Sequence, residues 1–231
     1  MEKQHVKNFS EIAAIIYCAH ISGLDTLPIS IDELATCMEK ATYAVENSEE
    51  FASDEESEVA MALFVINGYE KHQKFIASCP PSHHKTVVNE MYLRCLTRRL
   101  SFASFFNDEQ EIFNLFSKIA LVTDIESPEL LIRQDSACYV CCYNAALSGN
   151  KDESARFFDK IKDIPRLVEK ADDILEDFPY MITEKHPAKS LELLAALHKK
   201  YPDVSLSEKL SQRWADHPIL DYIDIEHLKL I

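Results

Sequence analysis

Apolar and polar residues follow each other along most of this 231-residue chain with the period of an α-helix, about 3.6 residues. In the segment after Ser10, for example, one helical face collects Ile12, Ile15, Ile16 and Ala19. Gly23 then supplies a natural helix end. Strand-like alternation of Val, Ile and Thr with polar residues is rare. The pattern therefore predicts an all-α protein.

Several predicted helices begin at residues that can cap the first free backbone amides. Two capping boxes, in which a Ser is followed three residues later by a Glu, are Ser30 with Glu33 and Ser53 with Glu56. They predict helices over about 31–47 and 54–78, and Pro80 and Pro81 end the second. The later predicted helices run from Ser82 to about Phe106, from Asn107 through IFNLFSKIALV, from Pro128 to about Leu147, over about 151–162, from Pro165, from Pro187 to Tyr201, and from Ser205.

These segments add up to roughly ten helices joined by short connections, which favours antiparallel hairpins. We expect one all-helical domain over residues 1–231, because no linker of biased composition interrupts the chain. The alternative is a less pronounced domain boundary near residues 79–82. It would separate the N-terminal helices from a stack of hairpins.

Two stretches of the chain match at a constant offset. The letters FDKI at 158–161 align with FSKI at 116–119. The same offset pairs Ala145 with Ala103, Glu153 with Glu111 and Phe157 with Leu115. Each copy consists of a long apolar helix, a polar turn and a shorter helix. A period near 40 is typical of stacked helical hairpins, whereas similar composition alone is the competing explanation.

The stretch YNAALSGNKDESARFFDKI, at 143–161, resembles one hairpin of a tetratricopeptide or pentatricopeptide repeat. The matching residues are Gly149 at the turn, Ser154 at the small packing position, Phe158 at the second-helix aromatic and Ile161 at a core position. The stretch departs from the pattern at Cys138, where tetratricopeptide repeats favour Trp, and at Pro165, which is displaced. The resemblance extends over about 30 residues, which is close to the length of one such repeat. It implies a partner-binding, α-solenoid-like stack.

Glycine usage excludes several common enzyme classes. The chain contains only Gly23, Gly68 and Gly149, against a usual ~7% of residues. No GxGxxG, GxxxxGK or GxSxG motif is present, and phosphate cradles and nucleophile elbows need those glycines for close backbone approach. Rossmann, P-loop, kinase and α/β-hydrolase chemistry is therefore not expected.

Cysteine and histidine patterns give no clear metal site. The nearest candidates are CPPSHH at 79–84 and CYVCC at 138–142. A structural zinc ion needs four thiolate or imidazole ligands, whereas Cys138 and Cys141 fall inside a predicted helix. We expect packed thiols, no metal, no cofactor and no catalytic residue. A cysteine nucleophile with a histidine distant in sequence stays open.

Seven cysteines without a signal peptide favour reduced thiols and a cytoplasmic location. No apolar run is long enough to span a membrane. Export as a microbial effector through the C-terminal DYIDIEHLKLI is an open alternative.

The charge of the chain is strongly negative. Asp and Glu number 39 and Lys and Arg 24, which gives −15 with neutral histidines. Such a chain does not favour duplex nucleic acid, which requires clustered cations. No Lys or Arg occurs between Ala41 and Glu70, and a dense acidic cluster lies there: Glu46, Glu49, Glu50, Asp54, Glu55, Glu56 and Glu58. The cluster is either a solvated helix start or a docking surface for a basic partner.

Three functions are compatible with these observations. The first is a helical scaffold or adaptor that binds another protein along a groove between stacked hairpins. Its aromatic residues either line this groove or, as for most of them, pack in the core; they include Phe102, Phe105, Phe106, Tyr139 and Tyr143. The alternative is an acidic inhibitor, or immunity-type protein, that neutralises a basic enzyme. The third is an all-helical enzyme without a linear motif. Arg94 and Arg98, which share a helical face, could also meet the acidic face of a second copy, so a homo-oligomer is a further option.

Overall fold

A computed structural model of the protein describes residues 30–46, 55–206 and 208–210. Every regular element in these ranges is a helix, which confirms the all-α prediction. The helices are α1 (Ile31–Glu46), α2 (Glu55–Ser78), α3 (His83–Phe105), α4 (Glu109–Leu121), α5 (Pro128–Leu147), α6 (Lys151–Lys160), α7 (Ile164–Lys170), α8 (Ile174–Met181) and α9 (Pro187–Lys200). Further helical residues are 206 and 208–210. The predicted helix after Ser10 and the C-terminal tail lie outside the described residues.

Two of the predicted helix starts have their capping hydrogen bonds, whereas the capping box of Ser53 with Glu56 lies partly outside the described residues. At the start of α1, the Ser30 amide donates to Glu33 Oε2 and the Glu33 amide donates to Ser30 Oγ, both at 3.2 Å. Ser82 Oγ accepts from the Lys85 amide at the start of α3. The predicted cap of α4 is displaced by one residue, because Asn107 adopts a left-handed conformation and Asp108 becomes the cap.

The protein contains two compact units, which divide between Leu130 and Leu131. In the first unit, α3 packs against α1, α2 and α4. Its core includes Leu34, Met38, Ile76, Leu93 and Leu96, all 1% exposed or less. Residues 79–82 join two helices that pack together within this unit. The single-domain prediction stays a prediction.

In the second unit, α9 packs against α7 and α8, and α6 packs against α8. The core residues of this unit include Phe158, Ile161, Ile164 and Phe178. Cys138, Cys141 and Cys142 of α5 are buried here as well. Helix α5 therefore carries its thiols on faces that pack inside the protein.

The turns after α3 and α5, which the sequence alignment pairs, have the same backbone hydrogen bonds. The corresponding bonds are Asp108 N to Ala103 O and Asn150 N to Ala145 O, at 3.0 and 2.9 Å, and Asn107 N to Ser104 O and Gly149 N to Ala146 O, at 3.2 and 3.1 Å. Both turns are Schellman-type helix ends with a left-handed residue. The local hairpin turn thus recurs at the offset found in the sequence. Tetratricopeptide-type stacking of successive hairpins stays a prediction.

A further property of the helices concerns membranes. None of those in the described ranges combines the length and apolar character needed to cross a bilayer.

Candidate functional site

The most exposed large apolar side chains in the described part of the chain lie where α3 turns into α4. Phe105 is 79% exposed and Phe106 is 73% exposed, and Phe113 on α4 is also exposed. The rings of Phe105 and Phe106 meet edge to face, with centroids 5.2 Å apart. We call Phe105 and Phe106 the aromatic corner. Transfer of one such ring out of water is worth about 1.5–3 kcal/mol.

The backbone of the turn holds Phe105 and Phe106 at the surface. The Phe106 amide donates to the Phe102 carbonyl at 3.1 Å, and Asn107 has a φ of 55°. The left-handed residue reverses the chain directly after the two rings. Asp108 then starts α4 by accepting the Glu111 amide at 3.1 Å.

A two-point ion pair fixes α3 to α4 next to this turn. Arg99 Nε and Nη2 donate to the two carboxylate oxygens of Glu111 at 2.7 and 2.8 Å. Both side chains are about a quarter exposed. Because the guanidinium and the carboxylate are planar and bonded twice, the pair restrains orientation as well as distance. The aromatic corner is therefore presented on a rigid hairpin.

The start of α4, directly after the aromatic corner in the chain, exposes acidic and polar residues. A cleft of about 550 Å³ has as its lining residues Asp108, Gln110, Glu111, Phe113, Asn114 and Ser117. Asp108 and Glu109 are exposed close to Phe106 in the chain. An apolar centre with a polar rim is the usual anatomy of a protein interface.

The acidic cluster predicted from the sequence lies partly outside the described residues. The members outside are Glu49, Glu50 and Asp54. Glu46 is the last residue of α1, and Glu55, Glu56 and Glu58 lie in the first turns of α2. Carboxylates at a helix start interact favourably with the helix dipole. A docking role of the cluster stays a prediction.

Tyr139 and Tyr143, the aromatic residues predicted to bind a partner, connect α5 to α8 within the second unit. The Tyr139 hydroxyl donates to the Asp177 carboxylate. The Tyr143 ring meets Tyr180 edge to face at 5.1 Å. Burial, together with the hydrogen bond to Asp177, raises the pKa of Tyr139 above its ordinary value. Both residues are half-buried, so part of each is accessible to a partner.

Two of the thiols considered as metal ligands or nucleophiles, Cys138 and Cys142, favour their protonated form. Burial raises the pKa of Cys138 to about 12 and the pKa of Cys142 to about 11. Cys142 Sγ lies 3.4 Å from Ser154 Oγ. Nucleophilic attack and metal ligation require the thiolate. Within the described residues, no three or more His, Cys, Asp or Glu side chains are grouped so that they could hold a metal ion.

Sequence reasoning missed a second cleft, of about 600 Å³, between α7 and α9 of the second unit. We call it the basic cleft, and its lining residues are Asp163, Pro165, Arg166, Val168, Glu169, Ala196, Lys199 and Lys200. The cations come from two helices that are far apart in the sequence. No local pattern could have brought them together.

Comparison with protein families, with curated proteins and with solved structures finds no match to the chain. We therefore classify the protein from its own structure, as an all-helical protein. Its distinguishing surface feature is the aromatic corner.

Proposed function

We propose that the protein is a protein–protein interaction module without catalytic activity, and that the aromatic corner is its contact surface. The observation that supports this proposal is the exposure of Phe105 and Phe106 on a turn fixed by backbone hydrogen bonds. Exposed apolar patches with a polar rim mark interaction sites, and aromatic anchors supply most of the binding free energy in many interfaces.

The geometry suits an anchoring role. Rigid groups lose less conformational entropy on binding than mobile groups. The ion pair between Arg99 and Glu111 and the left-handed Asn107 restrain the backbone that carries the two rings. A partner would therefore meet a surface that is already arranged for contact.

The charge near the aromatic corner indicates the chemistry of the partner. Asp108 and Glu109 follow the two rings closely in the chain, and the chain as a whole carries −15. A partner with an apolar pocket and Lys or Arg at its edge would complement this surface. Duplex nucleic acid does not, since its phosphates would meet carboxylates.

The location that fits this proposal is the cytoplasm. The residues Cys79, Cys95, Cys138, Cys141 and Cys142 form no disulfide bond. Free thiols are typical of a reducing compartment.

The test is a quantitative pull-down from a lysate of the source organism, with the wild type and with Phe105→Ser/Phe106→Ser as baits. We expect the double variant to lose its principal client, because two apolar anchors are removed. Leu147→Ser is the matched control. Leu147 occupies the position of Phe105 in the second hairpin turn and is also exposed.

Retention of all clients by the double variant would contradict the proposal. An equal loss of clients with Leu147→Ser would also contradict it, because that result would indicate nonspecific apolar binding. Urea unfolding of each bait shows whether the substitutions preserve the fold, and exposed positions of this kind usually change stability by less than about 0.5 kcal/mol.

A second candidate function is an acidic inhibitor of a basic enzyme. It is supported by the charge of −15 and by the acidic cluster. Replacing Glu49, Glu50, Glu55 and Glu56 by Gln should weaken the binding of a basic client by roughly tenfold or more, with steep salt dependence. Unchanged affinity in this variant would remove the inhibitor hypothesis and leave the aromatic corner as the contact.

A further inference from the structure

The basic cleft between α7 and α9 contains two cations that have no carboxylate partner in the described part of the chain. Arg166 is half-buried on α7 and Lys199 is exposed on α9. The two acids that line the cleft, Asp163 and Glu169, have contacts other than these two side chains. Asp163 accepts the backbone amide of Arg166 at 3.0 Å, and Glu169 lies 3.6 Å from Lys170 outside the cleft.

Lys200 fixes the position of one wall of the cleft. Its ammonium donates to the carbonyls of Val168, Glu169 and Ala171 at 2.7, 3.3 and 3.4 Å. These carbonyls end α7, so Lys200 compensates their partial negative charge and ties α9 to α7. A ligand would thus find Arg166 and Lys199 on a fixed scaffold.

We propose that the basic cleft binds an acidic peptide segment. Arg166 and Lys199 lie on different helices, and Pro165, Val168 and Ala196 line the same cleft. A segment that carries separated carboxylates and an apolar side chain matches this arrangement. The proposal goes beyond the function assigned to the aromatic corner and does not depend on it.

The geometry favours carboxylates over a phosphate group. Phosphate sites usually offer several converging donors, often the free amides of a helix start. Here the Asp163 carboxylate already takes the Arg166 amide, so that amide is not available to a phosphate oxygen. Arg166 and Lys199 lie on different helices, so each can meet its own carboxylate.

The test measures the fluorescence anisotropy of a short fluorescein-labelled peptide of alternating glutamate and leucine, with the full chain. The same peptide with glutamine in place of glutamate is the ligand control. We expect Arg166→Gln/Lys199→Gln to weaken binding by about tenfold or more, because charge pairs dominate the contact. The amide of residue 166 remains, so the Asp163 cap of α7 is kept.

The matched protein control is Lys151→Gln/Lys162→Gln. It removes the same charge from exposed positions of the same unit that do not line the cleft. Equal weakening in both double variants would overturn the proposal, because it would indicate a diffuse electrostatic field. Equal binding of the glutamine peptide, or failure of the glutamate peptide to bind the wild type, would overturn it as well.

A last experiment distinguishes peptide binding at the basic cleft from peptide binding at the aromatic corner. Phe105→Ser/Phe106→Ser should bind the glutamate peptide as the wild type does. Loss of peptide binding in that variant would assign the peptide to the aromatic corner and overturn the assignment to the basic cleft.

Discussion

Asn107 and Gly149 occupy the same left-handed position at the ends of α3 and α5, with φ of 55° and 76°. Glycine adopts this conformation without steric cost, and asparagine is among the residues that tolerate it best. The two positions therefore accept different residues for the same backbone reason.

Replacement of Gly149 by Ala should lower the free energy of unfolding by about 1 kcal/mol. No atom lies within 4 Å of the position that a Cβ would occupy, so the loss would come from the backbone alone. Gly149→Asn should cost less, as asparagine already occupies the equivalent turn. Urea unfolding measures both, and an alanine variant as stable as the wild type would contradict the left-handed turn.

Replacement of Arg99 by Lys should lower the free energy of unfolding by about 1 kcal/mol, although the charge is kept, because lysine cannot form two parallel hydrogen bonds to one carboxylate. Arg99 makes both of these bonds with Glu111. Arg156→Lys is the control, because Arg156 contacts Glu153 at a single 3.4 Å distance on an exposed surface. Equal effects of the two substitutions in urea unfolding would refute a special role of the bidentate pair.

The Tyr69 hydroxyl and the Asn89 side chain should show favourable coupling in a double-mutant cycle. Tyr69 donates to Asn89 Oδ1 at 2.7 Å, Asn89 is buried, and its Nδ2 has no partner among the described residues. Tyr69→Phe would leave the side-chain amide of Asn89 without a hydrogen bond among the described residues. We expect this to lower the free energy of unfolding by roughly 1–3 kcal/mol.

The double variant Tyr69→Phe/Asn89→Leu should lose less stability than the two single variants together. Leucine has the branching of asparagine but needs no hydrogen bond, so removal of both partners leaves no unpaired polar group. Purely additive losses would show that the two side chains are not coupled.

Asp135 should make the stability of the second unit depend on pH. Its buried carboxylate accepts the amides of Lys162 and Asp163 at 2.8 and 2.9 Å. Burial raises the pKa of Asp135 above its ordinary value, against these hydrogen bonds, which lower it. Between the ordinary and the raised value the native state holds a proton that the unfolded chain has lost, so native stability falls as pH rises.

Asp135→Asn removes this titration. Its destabilisation relative to the wild type should therefore shrink as pH rises above the ordinary aspartate range, which urea unfolding over a pH series would measure. Asp152→Asn is the opposite control, because the hydrogen bond from Lys185 lowers the pKa of the exposed Asp152. A constant difference between wild type and Asp135→Asn at all pH values would contradict the prediction.

Local sequence signals predicted much of the fold, because they act over a few residues. The hydroxyl of Ser30 and the carboxylate of Glu33 are three residues apart, which is the spacing that a helix start requires. The position of Gly149 likewise identified a turn. The position of the cap of α4 was harder to predict, because Asn107 and Asp108 are both good capping residues. The conformation of the turn makes Asp108 the cap.

The candidate sites depend on longer-range contacts. Phe105 and Phe106 have the same apolar chemistry as buried Phe158, but the packing of the described helices leaves them in solvent. Arg166 and Lys199 form one cleft because α7 and α9 pack together.

The sequence alone determined the helical class, most helix starts and the absence of glycine-dependent phosphate and nucleophile motifs. These properties follow from periodicity, capping and backbone freedom, each of which is encoded within one or two helical turns. The tertiary structure decided which aromatic residues of the described ranges face solvent, that the Tyr139 hydroxyl pairs with Asp177, and that Arg166 and Lys199 line one cleft. Those outcomes depend on which helix faces meet, and packing between distant segments sets that choice.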